Sequence, residues 1–200
     1  GMPLDLIYMV SAESNFNVRA KSKKSAVGLW QFIASTGRIY GLKINRWIDE
    51  RRDPIKSTHA AARHLKSLYA EFGDWRLALA AYNSGRGRVR RAIEKAGTRD
   101  FWNLPLPQET RNYVPLFMAA TIISKDPAQF GFDEIKFEEP FTYEEVTLPS
   151  EWPYVDLRAA ARTMNVTETI LRNLNPELRQ SITPPGIKQP YVPVSYTHLT

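Results

Sequence analysis

Residues 1–132 are divided into helical segments by closely spaced residues that start and stop helices. Asp53 can cap a helix that begins at Pro54, and Gly73 can end it, because proline suits the first helical position and glycine the position after the last. Between them, apolar side chains recur at helical spacing. Other helices are predicted at 4–12, 75–82, 88–96 and 108–124. Several such helices with short connections predict a compact, mainly α domain.

The character of the chain changes after Phe132. Residues 133–145 are acidic and contain Pro140, a composition typical of a linker. Residues 146–194 predict a small α+β module with the element order βααβ. Its elements are expected at 145–148 for the first strand, 156–164 and 167–174 for the helices, and near 191–192 for the second strand. Residues 195–200 fit no element, and this tail is expected to be disordered or non-native.

Composition excludes several kinds of chemistry. The chain has no cysteine, which rules out disulfides, thiol catalysis and cysteine-ligated zinc. The histidines are scattered, so no metal site is predicted, and His59 and His64 are both expected at the surface. No apolar run approaches the roughly 20 residues that span a bilayer, and the start Gly1-Met2-Pro3 lacks the features of a signal peptide. We therefore expect no membrane contact from this segment itself, with Gly1 as a non-native addition.

Charge is spread unevenly along the chain. Residues 1–132 carry 21 Lys and Arg against 11 Asp and Glu, whereas residues 133–200 carry 6 against 10. The two net charges, +10 and −4, give the overall +6. A basic first part suits a polyanionic partner such as nucleic acid, anionic lipid or an acidic cell-wall polymer, although a merely solvated basic face is an equally open interpretation.

Glu13 lies where an apolar helix ends and a polar, basic segment begins. A carboxyl in such a place can keep its proton near neutral pH, because desolvation disfavours the charged form, and this makes Glu13 a candidate general acid. Three further clusters combine amide, hydroxyl and aromatic side chains near predicted helix ends. They are 28–32, expected to start a helix, 80–85, expected to end one, and 109–114, expected to open one. Such side chains suit a carbohydrate, which offers hydroxyls, N-acetyl groups and apolar ring faces.

Taken together and in this order, the clusters resemble the lytic murein transglycosylases with a soluble-type, goose-lysozyme-like catalytic domain. The resemblance covers about Leu4 to Phe132. It rests on Glu13-Ser14-x-Phe16 with Ala20-x-Ser22, Gly28-Leu29-Trp30-Gln31-Phe32, Asp49-Glu50-Arg51-Arg52-Asp53-Pro54, Ala80-Ala81-Tyr82-Asn83-x-Gly85 and Glu109-Thr110-Arg111-x-Tyr113-Val114. It implies a lysozyme-like helical domain that acts as a monomer on peptidoglycan glycan strands, without metal or organic cofactor. The parent protein would be periplasmic or associated with the outer membrane.

The resemblance also implies roles for individual residues. Glu13 would be the sole catalytic carboxylate, protonating the glycosidic oxygen and then acting as base on the muramoyl 6-hydroxyl to leave a 1,6-anhydromuramoyl end. Most glycosidases use two carboxylates, but the nearest acidic residues downstream, 49, 50 and 53, belong to a charged turn and a helix cap. Ser22 would bind the substrate N-acetyl group. The other implied substrate-binding residues are Gly28, Gln31, Tyr82, Asn83 and Tyr113, although Asn83 could instead cap its helix end.

Two further segments leave alternatives open. Residues 146–194 resemble a diverged LysM module, an N-acetylglucosamine-glycan binder, but could instead merely pack against the catalytic domain. A helix–turn–helix interpretation of 157–174 is rejected, since the second helix offers only Arg172 to a nucleic acid and lies in an acidic segment; no nucleic-acid partner is predicted. The basic run at 86, 88, 90 and 91 is interpreted as a solvated helix face, or alternatively as a contact for stem-peptide carboxylates.

Two competing functions accompany the favoured peptidoglycan lytic transglycosylase. One is a lysozyme-type hydrolase on the same fold, which differs in producing reducing muramic ends. The other is a non-catalytic peptidoglycan-binding protein that keeps the fold, and the presence of Glu13 together with its motif partners argues against it.

Overall fold

The computed structural model of the chain describes residues 2–136, 143–145, 148–149, 151–185 and 194–195. Within these ranges the protein is mainly helical. The α-helices are α1 Met9–Ser14, α2 Ala34–Ile39, α3 Pro54–Phe72, α4 Trp75–Ser84, α5 Arg86–Ala96, α6 Gln108–Lys125, α7 Leu157–Thr163 and α8 Glu168–Leu174. Short 3-10 helices lie at Leu4–Tyr8, Phe101–Asn103 and Ala128–Phe130. Two short strands, β1 (Glu144–Glu145) and β2 (Val194–Ser195), pair antiparallel. No helix in the described part of the chain is long and apolar enough to cross a membrane.

The chain divides into two compact units. The first comprises Gly1–Asn17 and Thr58–Ile135, and the second comprises Val18–Ser57 and Lys136–Thr200. In the first unit α4 is the central helix: residues 77–81 are buried without a break, as expected for a helix surrounded by others. It packs against α5 and α6, and α1 packs against α6. This packing places the residues that follow 81 at the end of a rigid element.

The helix ends follow the local signals in the sequence. Asp74 caps α4 by accepting hydrogen bonds from the backbone N–H groups of Arg76 and Leu77. Gly73, with φ +67°, takes the left-handed conformation that ends α3. Asp53 accepts from the backbone N–H of Lys56 at 2.8 Å at the start of the same helix. The helices predicted for residues 53–124 are therefore confirmed.

One predicted helix start is wrong. The segment 28–32 forms a turn, and α2 begins only at Ala34. Gly28 (φ +83°) and Gln31 (φ +46°) both lie outside the helical region of backbone conformation. The segment is instead joined by isolated β-bridges of Val27 to Lys21 and to Phe32. These close a compact loop that precedes α2.

The last part of the second unit contains the two predicted short helices. Asp156 caps α7 through the N–H groups of Arg158 and Ala159, and Thr167 caps α8 through that of Ile170. Of the first predicted strand, Glu145 lies in β1, within the predicted linker, and Leu148 lies outside any strand. Residues 146–147 lie outside the described residues. The second predicted strand at 191–192 and most of the tail also lie outside them, but residue 195 belongs to β2.

Candidate active site

Glu13 is held on the buried face of α1. Met9 and Val10, four and three residues before it, are fully buried, and residues at these spacings share one face of a helix. The helix ends directly afterwards, because Asn15 (φ +50°) and Phe16 (φ +59°) adopt left-handed backbone conformations. These conformations turn the chain sharply just past the acid. Asparagine adopts them readily and phenylalanine rarely. Glu13 is thus only partly exposed.

The Glu13 carboxyl is joined to α6 by a short hydrogen bond. Tyr113 Oη donates to Glu13 Oε1 at 2.6 Å, and Tyr113 is itself buried. Burial raises the pKa of Glu13 from its ordinary value of 4.5 to about 7; the Tyr113 hydrogen bond opposes this rise, and the charge of Glu109 adds to it. Glu109 lies four residues before Tyr113 on α6, on the same face of the helix. A carboxyl with this pKa can both give and take a proton near neutral pH.

Two tyrosine hydroxyls belong to the same cluster as Glu13. Burial, and then the negative charge of Glu13, raise the pKa of Tyr82 and of Tyr113 well above the ordinary value of 10. Both hydroxyls therefore stay protonated and can donate hydrogen bonds, as that of Tyr113 does to Glu13. Tyr82 follows the buried stretch of α4, which fixes where its ring lies.

His64 belongs to this cluster, contrary to the expectation that it lies at the surface. Its ring packs on Tyr82 with centroids 5.0 Å apart and planes tilted by 36°. Burial, and then the charge of Arg86, lower the pKa of His64 to about 4, so the imidazole is neutral at neutral pH. The signal in the sequence was the position of His64 between Ala60, Ala61 and Leu65 on the apolar face of α3. His59 is exposed as predicted.

Asn83 links two helices of the first unit. Its Oδ1 accepts a hydrogen bond of 2.9 Å from Thr110 Oγ1, and Thr110 is almost fully buried on α6. The end of α4 is closed instead by Gly85, whose N–H donates to the carbonyl of Ala81. Asn83 therefore ties the segment that carries Tyr82 to α6 and does not cap the helix end. Its contact with substrate stays a prediction.

Ser22 and Gly28 shape the loop of the second unit. Ser22 is exposed, and its Oγ accepts from the N–H of Ala26 at 3.1 Å, which closes a tight turn. Gly28 is buried against the backbone of Arg51: a Cβ at this position would lie 1.8 Å from the Arg51 carbonyl oxygen. Gly28 is thus required both for its positive φ and for this close approach.

The Gln31 side chain bonds to the backbone of the loop to which it belongs. Its Nε2 donates to the carbonyl of Gly28 at 2.8 Å and lies 3.5 Å from that of Ala20. The side chain is only partly buried. Gln31 therefore stabilises the loop through its amide N–H₂, while its position at the loop surface suits the predicted contact with substrate.

The acidic residues 49, 50 and 53 are each engaged within the second unit. Asp49 forms a buried ion pair with Arg51 at 2.7 Å. Glu50 pairs with Lys56 at 2.9 Å, and Asp53 caps α3. These contacts agree with their prediction as a charged turn and a helix cap. Over the described ranges, no group of three or more His, Asp or Glu side chains is placed to hold a metal ion.

The basic run on α5 is partly paired inside the first unit. Arg86 Nη1 lies 3.2 Å from Glu71 Oε2, and Arg90 Nε lies 2.5 Å from Glu71 Oε1. Arg88 and Arg91 are exposed. Two of the four arginines therefore join α5 to α3, and a contact of the basic run with stem-peptide carboxylates stays a prediction.

The family follows from a comparison with known domains. The sequence model of the family described as transglycosylase SLT domain matches residues 2–105, just over half of the chain. The chain therefore belongs to the transglycosylase SLT domain family. Its helical structure is similar to that of the 70 kDa soluble lytic transglycosylase of Escherichia coli, with a TM-score of 0.56, 26% identity, and coverage of 66% of this chain and 23% of that one. This similarity confirms the predicted lysozyme-like helical fold.

Curated relatives are similar to more than half of the chain. Membrane-bound lytic murein transglycosylase D of Escherichia coli strain K12 is 48% identical over 135 residues, covering 65% of this chain and 30% of that protein. Peptidoglycan transglycosylase gp16 of Escherichia phage T7 is 36% identical over 118 residues, covering 57% of this chain and 9% of that protein. The chain thus spans less than a third of the length of these relatives.

Proposed function

We propose that this chain is the catalytic part of a peptidoglycan lytic transglycosylase. The enzyme would cleave the β-1,4 bond between N-acetylmuramic acid and N-acetylglucosamine and form 1,6-anhydromuramoyl ends. The observation that carries the proposal is Glu13: a carboxyl with a pKa of about 7, hydrogen-bonded to Tyr113, in a chain of the transglycosylase SLT domain family. The names of the relatives support the same substrate, murein or peptidoglycan.

Glu13 would serve in turn as acid and base. Protonated Glu13 gives its proton to the glycosidic oxygen as the bond from this oxygen to the muramoyl anomeric carbon breaks. The carboxylate then takes the proton of the muramoyl 6-hydroxyl, whose oxygen attacks the anomeric carbon. One bond to this carbon replaces another, the proton returns to Glu13, and no water is consumed. A pKa near 7 serves both steps, because the two protonation states are similarly populated at neutral pH.

The remaining predicted residues would bind the glycan. Tyr113 and Tyr82 would hold the carboxyl and the sugar nearest to it with their neutral hydroxyls. Asn83, which follows Tyr82 on α4 and accepts a hydrogen bond from Thr110, would also contact the glycan. The loop that contains Ser22, Gly28 and Gln31 would bind the substrate, with the Ser22 hydroxyl on the N-acetyl group, as its resemblance to the family motif implies.

Three finer features complete the proposal. Residues 146–194 would have a LysM-like fold, supported by the capped helices α7 and α8. The parent protein would work in the periplasm or at the outer membrane, where peptidoglycan lies. The enzyme would act as a monomer.

Digestion of purified sacculi tests this function. Wild-type protein should release muropeptides with 1,6-anhydromuramic ends, which mass spectrometry distinguishes from reducing ends because they are lighter by one water. Glu13→Gln should lower the release by about 100-fold or more, the usual contribution of a general acid. Glu94→Gln removes the carboxyl of an exposed residue on α5 and should leave the rate unchanged.

The alternatives give different products. Reducing muramic ends would show a lysozyme-type hydrolase. Equal release of muropeptides above background by the wild type and by Glu13→Gln would show that Glu13 does not catalyse the reaction. No release above background by either protein would favour the peptidoglycan-binding protein.

A further inference from the structure

The segment after α8 is paired with a distant part of the second unit. Leu178 forms an isolated antiparallel bridge with Ile48. On its two sides, the N–H of Asp49 donates to the carbonyl of Glu177 at 2.8 Å, and the N–H of Arg179 donates to the carbonyl of Trp47 at 2.9 Å. Residues 45–51 are called the docking segment below, and residues 156–183 the hairpin.

Side chains extend this pairing. Ile48, Leu157 and Leu178 form one buried apolar cluster, against which Trp47 packs. Around it, the Arg179 guanidinium donates to the carbonyl of Asn45 at 2.7 Å. Removal of these three apolar side chains from water stabilises the contact. The hairpin therefore contacts the docking segment through buried apolar side chains as well as through the backbone.

Polar side chains add further links. Gln180 Nε2 donates to the carbonyl of Arg46 at 3.3 Å, and the Arg19 guanidinium donates to the carbonyl of Arg172 at 2.7 Å. Burial alone would lower the pKa of Lys56, but the negative charges of Glu50, Asp53 and Glu177 raise it above its ordinary value. Glu177 of the hairpin thus adds negative charge near Lys56, which forms an ion pair with Glu50 of the docking segment.

The docking segment in turn forms hydrogen bonds to the loop that contains Gln31. The Asp49 carboxylate holds the Arg51 guanidinium with two hydrogen bonds of 2.8 and 2.7 Å. Arg51 Nη1 then donates to the carbonyls of Ser25 and Phe32, both at 3.0 Å. The buried Arg51 guanidinium therefore joins two points of the loop. The backbone carbonyl of Arg51 packs against Gly28, which lies between these points in the chain.

We propose that the hairpin is an intramolecular brace that, through the docking segment, keeps the loop at residues 21–32 in its substrate-binding shape. The last step, from loop shape to glycan binding, rests on the proposed function; the mechanical connection does not. This role replaces that of an independent glycan-binding module. The segment that follows α8 has its backbone, its apolar side chain Leu178 and its cation Arg179 engaged by the docking segment. The polar side chains of Asn175, Glu177 and Thr183 are buried.

Hydrogen–deuterium exchange of the full chain tests the brace. The amides of Val27 and Gly28, which bond to the carbonyls of Phe32 and Ala20, report on the loop. Leu178→Ser removes the central side chain of the contact and should make these amides exchange about tenfold faster, through more frequent local opening. The matched control is Ile170→Ser, which shortens an apolar side chain of α8 near the α7–α8 turn, and it should leave loop exchange unchanged. Unchanged loop exchange in Leu178→Ser would overturn the proposal, whether or not the hairpin still folds.

Arg51→Lys tests the direction of the coupling. A lysine keeps the positive charge next to Asp49 but cannot reach both loop carbonyls, so loop exchange should rise while the hairpin amides stay protected. In peptidoglycan digestion, Arg51→Lys and Leu178→Ser should both raise KM at least about fivefold with kcat nearly unchanged, and the pH profile set by Glu13 should not move. A fall in kcat with unchanged KM would contradict a role in binding through the loop.

Glycan binding by the hairpin is tested in inactive Glu13→Gln. Addition of an N-acetylglucosamine hexamer should slow exchange in the loop and leave residues 157–183 unchanged. Protection of the hairpin by this oligosaccharide would show a glycan-binding module and overturn the brace. If wild-type protein releases no muropeptides, the proposed function fails, yet the exchange results with Leu178→Ser and Arg51→Lys still decide the mechanical connection.

Discussion

Replacement of Tyr113 by phenylalanine tests the electrostatics on which the function of Glu13 depends. Burial is the largest effect on the pKa of Glu13, the Tyr113 hydrogen bond opposes it, and the resulting value is about 7. A hydrogen bond to a charged group contributes about 1.5–3 kcal/mol, and one pH unit corresponds to about 1.4 kcal/mol. Tyr113→Phe removes the hydroxyl and keeps the ring, so it should raise the pKa of Glu13 by about one to two further units.

The assay is kcat for muropeptide release measured against pH. The first chemical step needs protonated Glu13, so kcat of the wild type should fall as the pH rises through about 7. In Tyr113→Phe this alkaline limb should move upward by about one to two pH units, and a titration of carboxyl-labelled glutamate by NMR should show the same shift. A limb that stays in place or moves downward would refute the reasoning. Tyr69→Phe, at an exposed tyrosine stacked on Trp75, is the matched control and should leave the limb unchanged.

Two further predictions concern stability. Because the pKa of Glu13 is raised on folding, its favourable contribution is complete below pH 4.5 and is lost as the pH rises through about 7. The gain in the free energy of unfolding from Glu13→Gln should therefore be about 3 kcal/mol larger at pH 8 than at pH 4, as measured by urea denaturation. An equal effect at both pH values would show that the raised pKa of Glu13 does not cause the gain. Gly28→Ala should cost about 3 kcal/mol or more, since it adds a backbone clash to a positive φ, whereas Gly97→Ala, with φ +64° and open space around it, should cost about 1–2 kcal/mol. Equal losses of stability in these two alanine variants would show that the contact with Arg51 does not add to the cost of a side chain at Gly28.

The helix boundaries were predictable because their causes are local. Asp53 and Asp74 each cap a helix by binding N–H groups two or three residues further on. Gly73 ends α3 through its own backbone conformation. Interactions over so few residues do not depend on the rest of the fold, and the sequence contains all the information they need.

The errors of sequence reasoning arose where distant groups decide the local structure. The segment 28–32 looked like a helix start, but Gly28 packs against the carbonyl of Arg51, which requires a turn with positive φ. His64 was expected at the surface, but its ring is covered by Tyr82 from the next helix. Neither partner is indicated locally, because the partners lie 23 and 18 positions away in the chain; for His64, only its place on the apolar face of α3 indicated burial.

For the Glu13 site, the sequence by itself determined which carboxyl is the candidate acid, the order of the motifs around it and the helices that carry them. The tertiary structure alone decided that this carboxyl has a pKa of about 7. That value depends on burial, on a hydroxyl 100 positions away and on the charge of Glu109. Desolvation and Coulomb interactions depend on distance in space and on exclusion of water, and tertiary packing, including that of α1 against α6, sets both.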